Sequence, residues 1–388
     1  MIFRVPFLST LVSDVFSCLF FSSSPVFIVH SLAAVNHRVL RMSASVFASL
    51  GAVIHSFSSP RSSHRVPIFE DKSNPALLAF ESSLLEQLKS TDETGYLSIE
   101  WLCQAMEMVL STHASAESFV PELQLDATSS DRKWIDSFLD NSIKLLDTCV
   151  TLKAAVAEIE SYCGHLKVAL RALEKEPIGE VQLKRCLEAL NKCMDALKRR
   201  DDAVNHLGHR RTKLENCSSM LRRMGERLNM EDASNGNSWI AIYTAQIITI
   251  FVYGLLSSAL SLKPRRSLSS ISVDAHSSWS VSLINLQQRV KEHIEKKKSR
   301  GSNLFLEELD MADIAVRKFH DLIQEILQGN SASAKGITVL KGKEGSKALQ
   351  ALLMDLQQGL PALQSHLENT YRNLLRSRMA FLDMPLGS

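Results

Sequence analysis

Twelve positions at alternating spacings of three and four residues run through the chain: Ile135, Phe138, Ser142, Leu145, Cys149, Leu152, Val156, Ile159, Cys163, Leu166, Leu170 and Leu173. Eleven of the twelve are apolar, and no proline interrupts the run. Such a repeat stays close to the helical turn, so all twelve side chains fall on one narrow stripe of a single helix. A stripe that long needs a partner helix along its whole length. The fold class it dictates is all-α: a long antiparallel helical bundle with a coiled-coil-like hairpin. The helix is expected over 131–175, capped by Asp131 and about 65 Å long at 1.5 Å per residue.

Pro177-Ile178-Gly179 breaks the chain directly afterwards, so the next helix folds back on the first. It carries Leu183, Leu187, Leu190, Met194, Leu197 and Val204 and continues through Leu214, Leu221, Met224 and Leu228. An intramolecular hairpin buries both stripes economically; a dimeric coiled coil is the competing arrangement. Upstream, Asn74 and Pro75 have the cap and first-turn chemistry of a helix start. Thr94-Gly95 ends that helix, a second is expected over 98–111 around Trp101, Met106 and Val109, and 121–130 reads as a loop. Downstream, Leu283, Leu286 and Val290, then Leu309, Ala312, Val316, Phe319, Ile323 and Ile326, mark two more helices. Residues 329–345 show no periodicity and read as a loop. A last helix is expected over 346–379, with a bend at Pro361.

Composition agrees with long helices: only 15 Gly and 10 Pro in 388 residues, 6% aromatic and 45% hydrophobic, which is enough for a real core. A net charge of +2 argues against nucleic acid as a partner of the whole molecule. Seven cysteines at 18, 103, 149, 163, 186, 193 and 217 form no Cys-x-x-Cys pair. They read as buried free thiols in a reducing compartment.

Two segments stand apart. Residues 1–66 hold fifteen serines, five arginines and one acidic residue, Asp14, the composition of an organelle transit peptide; a disordered or mis-started extension ahead of Met42 is the alternative. Between Asp232 and Lys263 lie thirty residues without Asp, Glu, Lys, Arg or His. Trp239 and Tyr243 sit at one end and Lys263, Arg265 and Arg266 at the other, as in a membrane-spanning helix. A central helix buried on all sides by the bundle has the same composition. The organisation expected is therefore 1–66, a Ser-rich targeting-like or disordered extension; 67–237, an N-terminal helical region with the hairpin; 238–262, the hydrophobic helix, transmembrane or buried; and 263–388, C-terminal helices completing the bundle.

No set of residues with catalytic spacing emerges. The stretch from Gly336 to Glu344 brushes against a phosphate-binding loop, but its spacing is one residue too long and Glu344 stands where a hydroxyl would hold Mg²⁺. His206 and His209 sit one turn apart without a third ligand, and carboxylates such as Asp310 and Asp313 read as solvated. The basic runs 198–200, 210–211 and 296–298 have acids close by. No catalytic, cofactor-binding or metal-ligating residue is assigned, and no cofactor is expected.

Three segments carry a family resemblance: Leu78-Ala79-Phe80-Glu81-Ser82-Ser83-Leu84, Ile99-Glu100-Trp101-Leu102-Cys103-Gln104-Ala105-Met106-Glu107, and residues 131–149 with their block Lys144-Leu145-Leu146-Asp147-Thr148-Cys149. Together they resemble the plant BYPASS family over about 74–383. The resemblance implies an all-helical plant protein, single-pass in a membrane, linked to root and shoot development and to restraint of a root-derived mobile signal, with no known catalytic set. The expected function is thus a non-enzymatic developmental regulator that binds unidentified protein partners, with a membrane as a further partner, as a monomer or weak homo-oligomer. Its location would be a membrane, with chloroplast or endomembrane suggested by the N-terminus. The alternative is an enzyme, or a lipid or small-molecule binder, with a cavity inside the bundle.

Overall fold

The structure is a computed structural model. It describes residues 74–91, 95–123, 129–174, 178–205, 213–228, 237–261, 271, 273, 278–302, 304–329 and 335–383. All of them belong to one compact unit, Asp71–Ser388. The Ser-rich extension, His206, His209 and the basic flank Lys263, Arg265 and Arg266 lie outside the described residues.

The described residues form nine α-helices: α1 Pro75–Ser90, α2 Ile99–Glu117, α3 Ser129–Arg171, α4 Glu180–Asn205, α5 Lys213–Arg227, α6 Asn237–Ala259, α7 Ser278–Ser299, α8 Glu307–Gln328 and α9 Lys335–Leu382. A short 3₁₀ turn, Val120–Glu122, follows α2. No strand occurs among the described residues. Asn74 caps α1 by accepting from the Ala76 N–H at 2.9 Å, and Pro75 occupies a first-turn position whose N–H would have no partner anyway.

The α3 stripe is buried as the periodicity requires: from Ile135 to Leu170 each of its eleven members is at most 8% exposed, with Leu173 half-buried. The hairpin forms, α4 and then α5 packing against α3. A single partner helix does not suffice, however. α9 runs antiparallel along α3, where the Cys149 thiol donates to the Leu367 carbonyl at 3.2 Å and Arg378 donates to Ser142 Oγ at 2.9 Å. A second line, Thr148, Ala155, Tyr162 and Ala169, spaced by seven, is at most 3% exposed. Its small and polar members hid it from an apolar pattern, and it widens the buried arc of α3 to hold several neighbours.

Three expected boundaries move. α2 runs on to Glu117, past 111, and α3 begins at Ser129, inside the expected loop. Most of the loop expected at 329–345 is helix, since α9 begins at Lys335. Gly345, expected at the end of that loop, and Gly359, inside the expected helix, are contact points. A Cβ on Gly345 would sit 2.9 Å from the Phe319 ring of α8, and one on Gly359 would sit 2.6 Å from Ile99 Cγ2 of α2. Glycine lets α9 cross both helices closely, and packing outweighs its low propensity. The helix continues through Pro361.

α6 is the uncharged segment. Trp239–Ala259 is long and apolar enough to cross a membrane, and 89% of its apolar window is buried by the rest of the protein. It packs on α1, α2, α3 and α5. Trp239 meets Trp134 of α3 edge-on, with ring centroids 4.1 Å apart.

Candidate functional site: the groove beside the α1–α2 turn

Two residues of unusual backbone conformation lie just before α2. Gly95 (φ 81°) and Leu97 (φ 66°) both take the left-handed conformation, and Leu97 is the one non-glycine to do so among the described residues. A Leu there is strained, and it is held by complete burial and by α8. The Leu97 carbonyl accepts from the Glu307 N–H at 3.2 Å, and Glu308 Oε1 accepts from the Ile99 N–H at 2.9 Å. Each helix start thus satisfies an N–H of the other that has no intrahelical partner. Ser98 Oγ caps α2 through the Trp101 N–H, and the Trp101 indole N–H donates to the Thr91 carbonyl at 2.6 Å. Tyr96 packs edge-on against both Trp101 and His293. Behind the turn, the buried Lys297 ammonium meets Glu307 at 2.5 Å and the Phe305 carbonyl at 3.3 Å.

An open groove of about 650 Å³ runs beside this turn between α1 and α2. Its α2 wall is a row one to two turns apart, Glu100, Gln104, Glu107 and Ser111; its α1 wall is Gln87, Ser90 and Thr91. Trp101 and Met108, each 2% exposed, lie at its base. The Cys103 thiol on the same helix is pushed up to about 11, first by burial and then by Glu107, Glu308 and Glu100. Burial also raises Glu308 and lowers His293. Burial and the nearby carboxylates keep this thiol protonated at neutral pH.

The residues singled out in the sequence do not converge. The stretch 336–344 is part of the continuous helix α9 and offers no loop to cradle a phosphate. Asp310 and Asp313, expected to be solvated, are 16% and 13% exposed at the side chain, Asp310 near Lys297 and Asp313 paired with Arg317 at 2.9 Å. No group of three His, Cys, Asp or Glu suited to a metal occurs among the described residues. The groove itself was missed, although Glu100, Gln104, Glu107 and Ser111 repeat at spacings of four, three and four, a polar row that an apolar search passes over.

The sequence profile of the family described as Protein ROH1-like matches residues 79–241 and 216–384. The chain belongs to the ROH1-like family. Among relatives of this ROH1-like chain, UPF0496 protein 4 of Oryza sativa subsp. japonica is 26% identical over 255 residues, 63% of this chain and 54% of the rice protein. The chain therefore spans about half the length of that relative. Protein BPS1, chloroplastic, of Arabidopsis thaliana is 25% identical over 267 residues, 66% of this chain and 72% of that protein. Protein ROH1A of Arabidopsis thaliana is 21% identical over 340 residues, 74% and 80% of the two chains. The resemblance to the plant BYPASS family is thereby established. No solved structure matches the chain.

Proposed function

We propose that this ROH1-like protein is a non-enzymatic regulator of plant development that works by binding other proteins, restraint of a root-derived signal being part of that role. The observation that carries the proposal is the character of the core. It is apolar and continuous, aliphatic and aromatic side chains together, from Leu84 of α1 to Phe381 of α9. Burial pushes His113 down to about 4 and the Cys163, Cys186 and Cys193 thiols up to about 12, so these groups are held neutral. An acid–base pair poised near neutral pH is the usual requirement of an enzyme; a core of this kind supports a rigid scaffold. Membership alongside BPS1 and ROH1A supports the plant role. In the folded state we take α6 as the central core helix, because placing it in lipid would strip the facing surfaces of α1, α2, α3 and α5 of their cover.

The test is recovery of tagged protein from plant tissue. A stoichiometric protein partner that rebinds the purified chain is expected. A purified chain that binds no recovered protein but turns over a small molecule would overturn the proposal.

A further inference from the structure

We propose that the outer face of α3 is a self-association surface, on which a second copy of this chain packs its own α3 in parallel. The buried arc of α3 is taken up by α4, α5, α6 and α9. On the opposite side Val150, Ala154, Ala157, Ser161, Gly164 and Val168 repeat at spacings of four, three, four, three and four. All six are exposed, Val150 by 55% and Val168 by 57%. They form a second stripe with heptad spacing, uncharged over five turns or about 27 Å of helix. A helix face meant only for water carries charged and polar side chains instead. Gly164 adds a separate sign. A Cβ there would meet no described atom within 4 Å, so no neighbour inside the fold calls for glycine, although glycine weakens a helix. With Ala157 and Ser161 beside it, Gly164 lets the backbone of another helix come close.

The charges along the two edges of the stripe identify the occupant. One edge carries Lys153, Glu160 and Lys167, the other Glu158 and His165. In parallel helices in register, a residue of the first edge faces the residue five places later on the second edge of the other helix. Lys153 then meets Glu158 of the second copy, and Glu160 meets its His165, each pair occurring twice by the twofold symmetry. Antiparallel packing, with Val150 against Val168, joins like edges: Glu160 faces Glu160, Glu158 faces Glu158 and Lys153 faces Lys167. Like charges so placed disfavour that arrangement. The stripe is therefore complementary to itself in one orientation, which a second copy supplies. Lys153 also pairs with Glu368 of α9, and Glu158 is engaged within its own chain, so the new pairs extend existing ones. Asp147, just before Val150, ends the uncharged stretch; two copies of it would repel, and the helices part there.

Sedimentation equilibrium of the purified full-length protein tests the proposal, which concerns the chain with itself and stands apart from its developmental role. A contact this short is at the small end of stable interfaces, so a reversible dimer with a dissociation constant of about 1–100 μM is expected. Ala157→Glu and, separately, Val150→Lys should each weaken it at least tenfold. Both positions are exposed and both new residues are good helix formers, so circular dichroism in dilute solution should show the fold and melting temperature kept. Val181→Lys, at an exposed valine of α4, should associate as the unmodified chain does. Val168→Cys puts two new thiols opposite each other in the parallel dimer but about 27 Å apart in the antiparallel one; mild oxidation should link them into a dimer that the unmodified chain does not give. A chain still monomeric at about 100 μM, a dimer kept by either folded variant, or equal loss in Val181→Lys would overturn the surface. A dimer that Val168→Cys fails to link would overturn the parallel arrangement.

Discussion

At the scale of single residues, His113 and the glycines give the clearest signs. His113 is fully buried against Thr249 Oγ1 at 2.7 Å, and burial lowers it from 6.5 to about 4. The unfolded chain takes up a proton near 6.5 and the native state only near 4. Stability is therefore full above about pH 6.5 and falls as pH drops through that window, by about 2 kcal/mol between pH 7 and 5 for this one group. Urea midpoints at the two pH values should show that loss in the unmodified protein and its absence in His113→Gln. Among glycines, position decides the sign. Gly164 lies inside α3, two turns before its end, with open space where a Cβ would go, so Gly164→Ala should stabilise by up to about 1 kcal/mol through helix propensity. Gly359→Ala drives a methyl into Ile99 and should destabilise by about 1–3 kcal/mol. Equal shifts of melting temperature in the two variants would contradict the close crossing of α9 over α2.

At the scale of elements, α3 and α6 bear the most weight. Leu152 and Ile159 are 0% exposed on the α3 stripe, and truncation of either to Ala should cost about 2–5 kcal/mol by urea denaturation. Asp at either place buries an unpaired carboxylate and should leave no cooperative transition. For α6, burial on all sides implies that carbonate at high pH releases any membrane-attached protein. Retention after carbonate, with release by detergent alone, would assign α6 to lipid.

At the scale of the whole molecule, the cysteines report on global opening. Cys149, Cys163, Cys186 and Cys193 are at most 3% exposed and their thiols are pushed up to between about 11 and about 12. Alkylation at pH 8 followed by peptide mapping should leave these four unlabelled until denaturant unfolds the bundle. Fast labelling in the native protein would mean that the hairpin opens by itself.

The same scale shows what could be read beforehand. The α3 stripe, the hairpin and the apolar α6 were legible because large apolar side chains at helical spacing have one good explanation. Thr148, Ala155, Tyr162 and Ala169 were not, since small and polar residues occur on both buried and exposed faces. Gly345 resembles a breaker until its crossing with Phe319 is known, and nothing local marks Gly359 as a contact with Ile99. The α1–α2 groove depends on walls from two helices and on a turn clamped by α8, more than two hundred residues away, which no local pattern encodes.

α9 has a bearing on how the chain is made. It packs on α2, α3 and α8, yet it leaves the ribosome after all three. Until it emerges, Cys149, Phe319 and Ile99 lack the cover that α9 gives them, so the nascent chain carries an open apolar cleft while the helices before it are made. Domains generally settle as units during synthesis, and this unit closes only when α9 arrives. Messages cut short before 335 would therefore yield a clientele for chaperones rather than a smaller working protein.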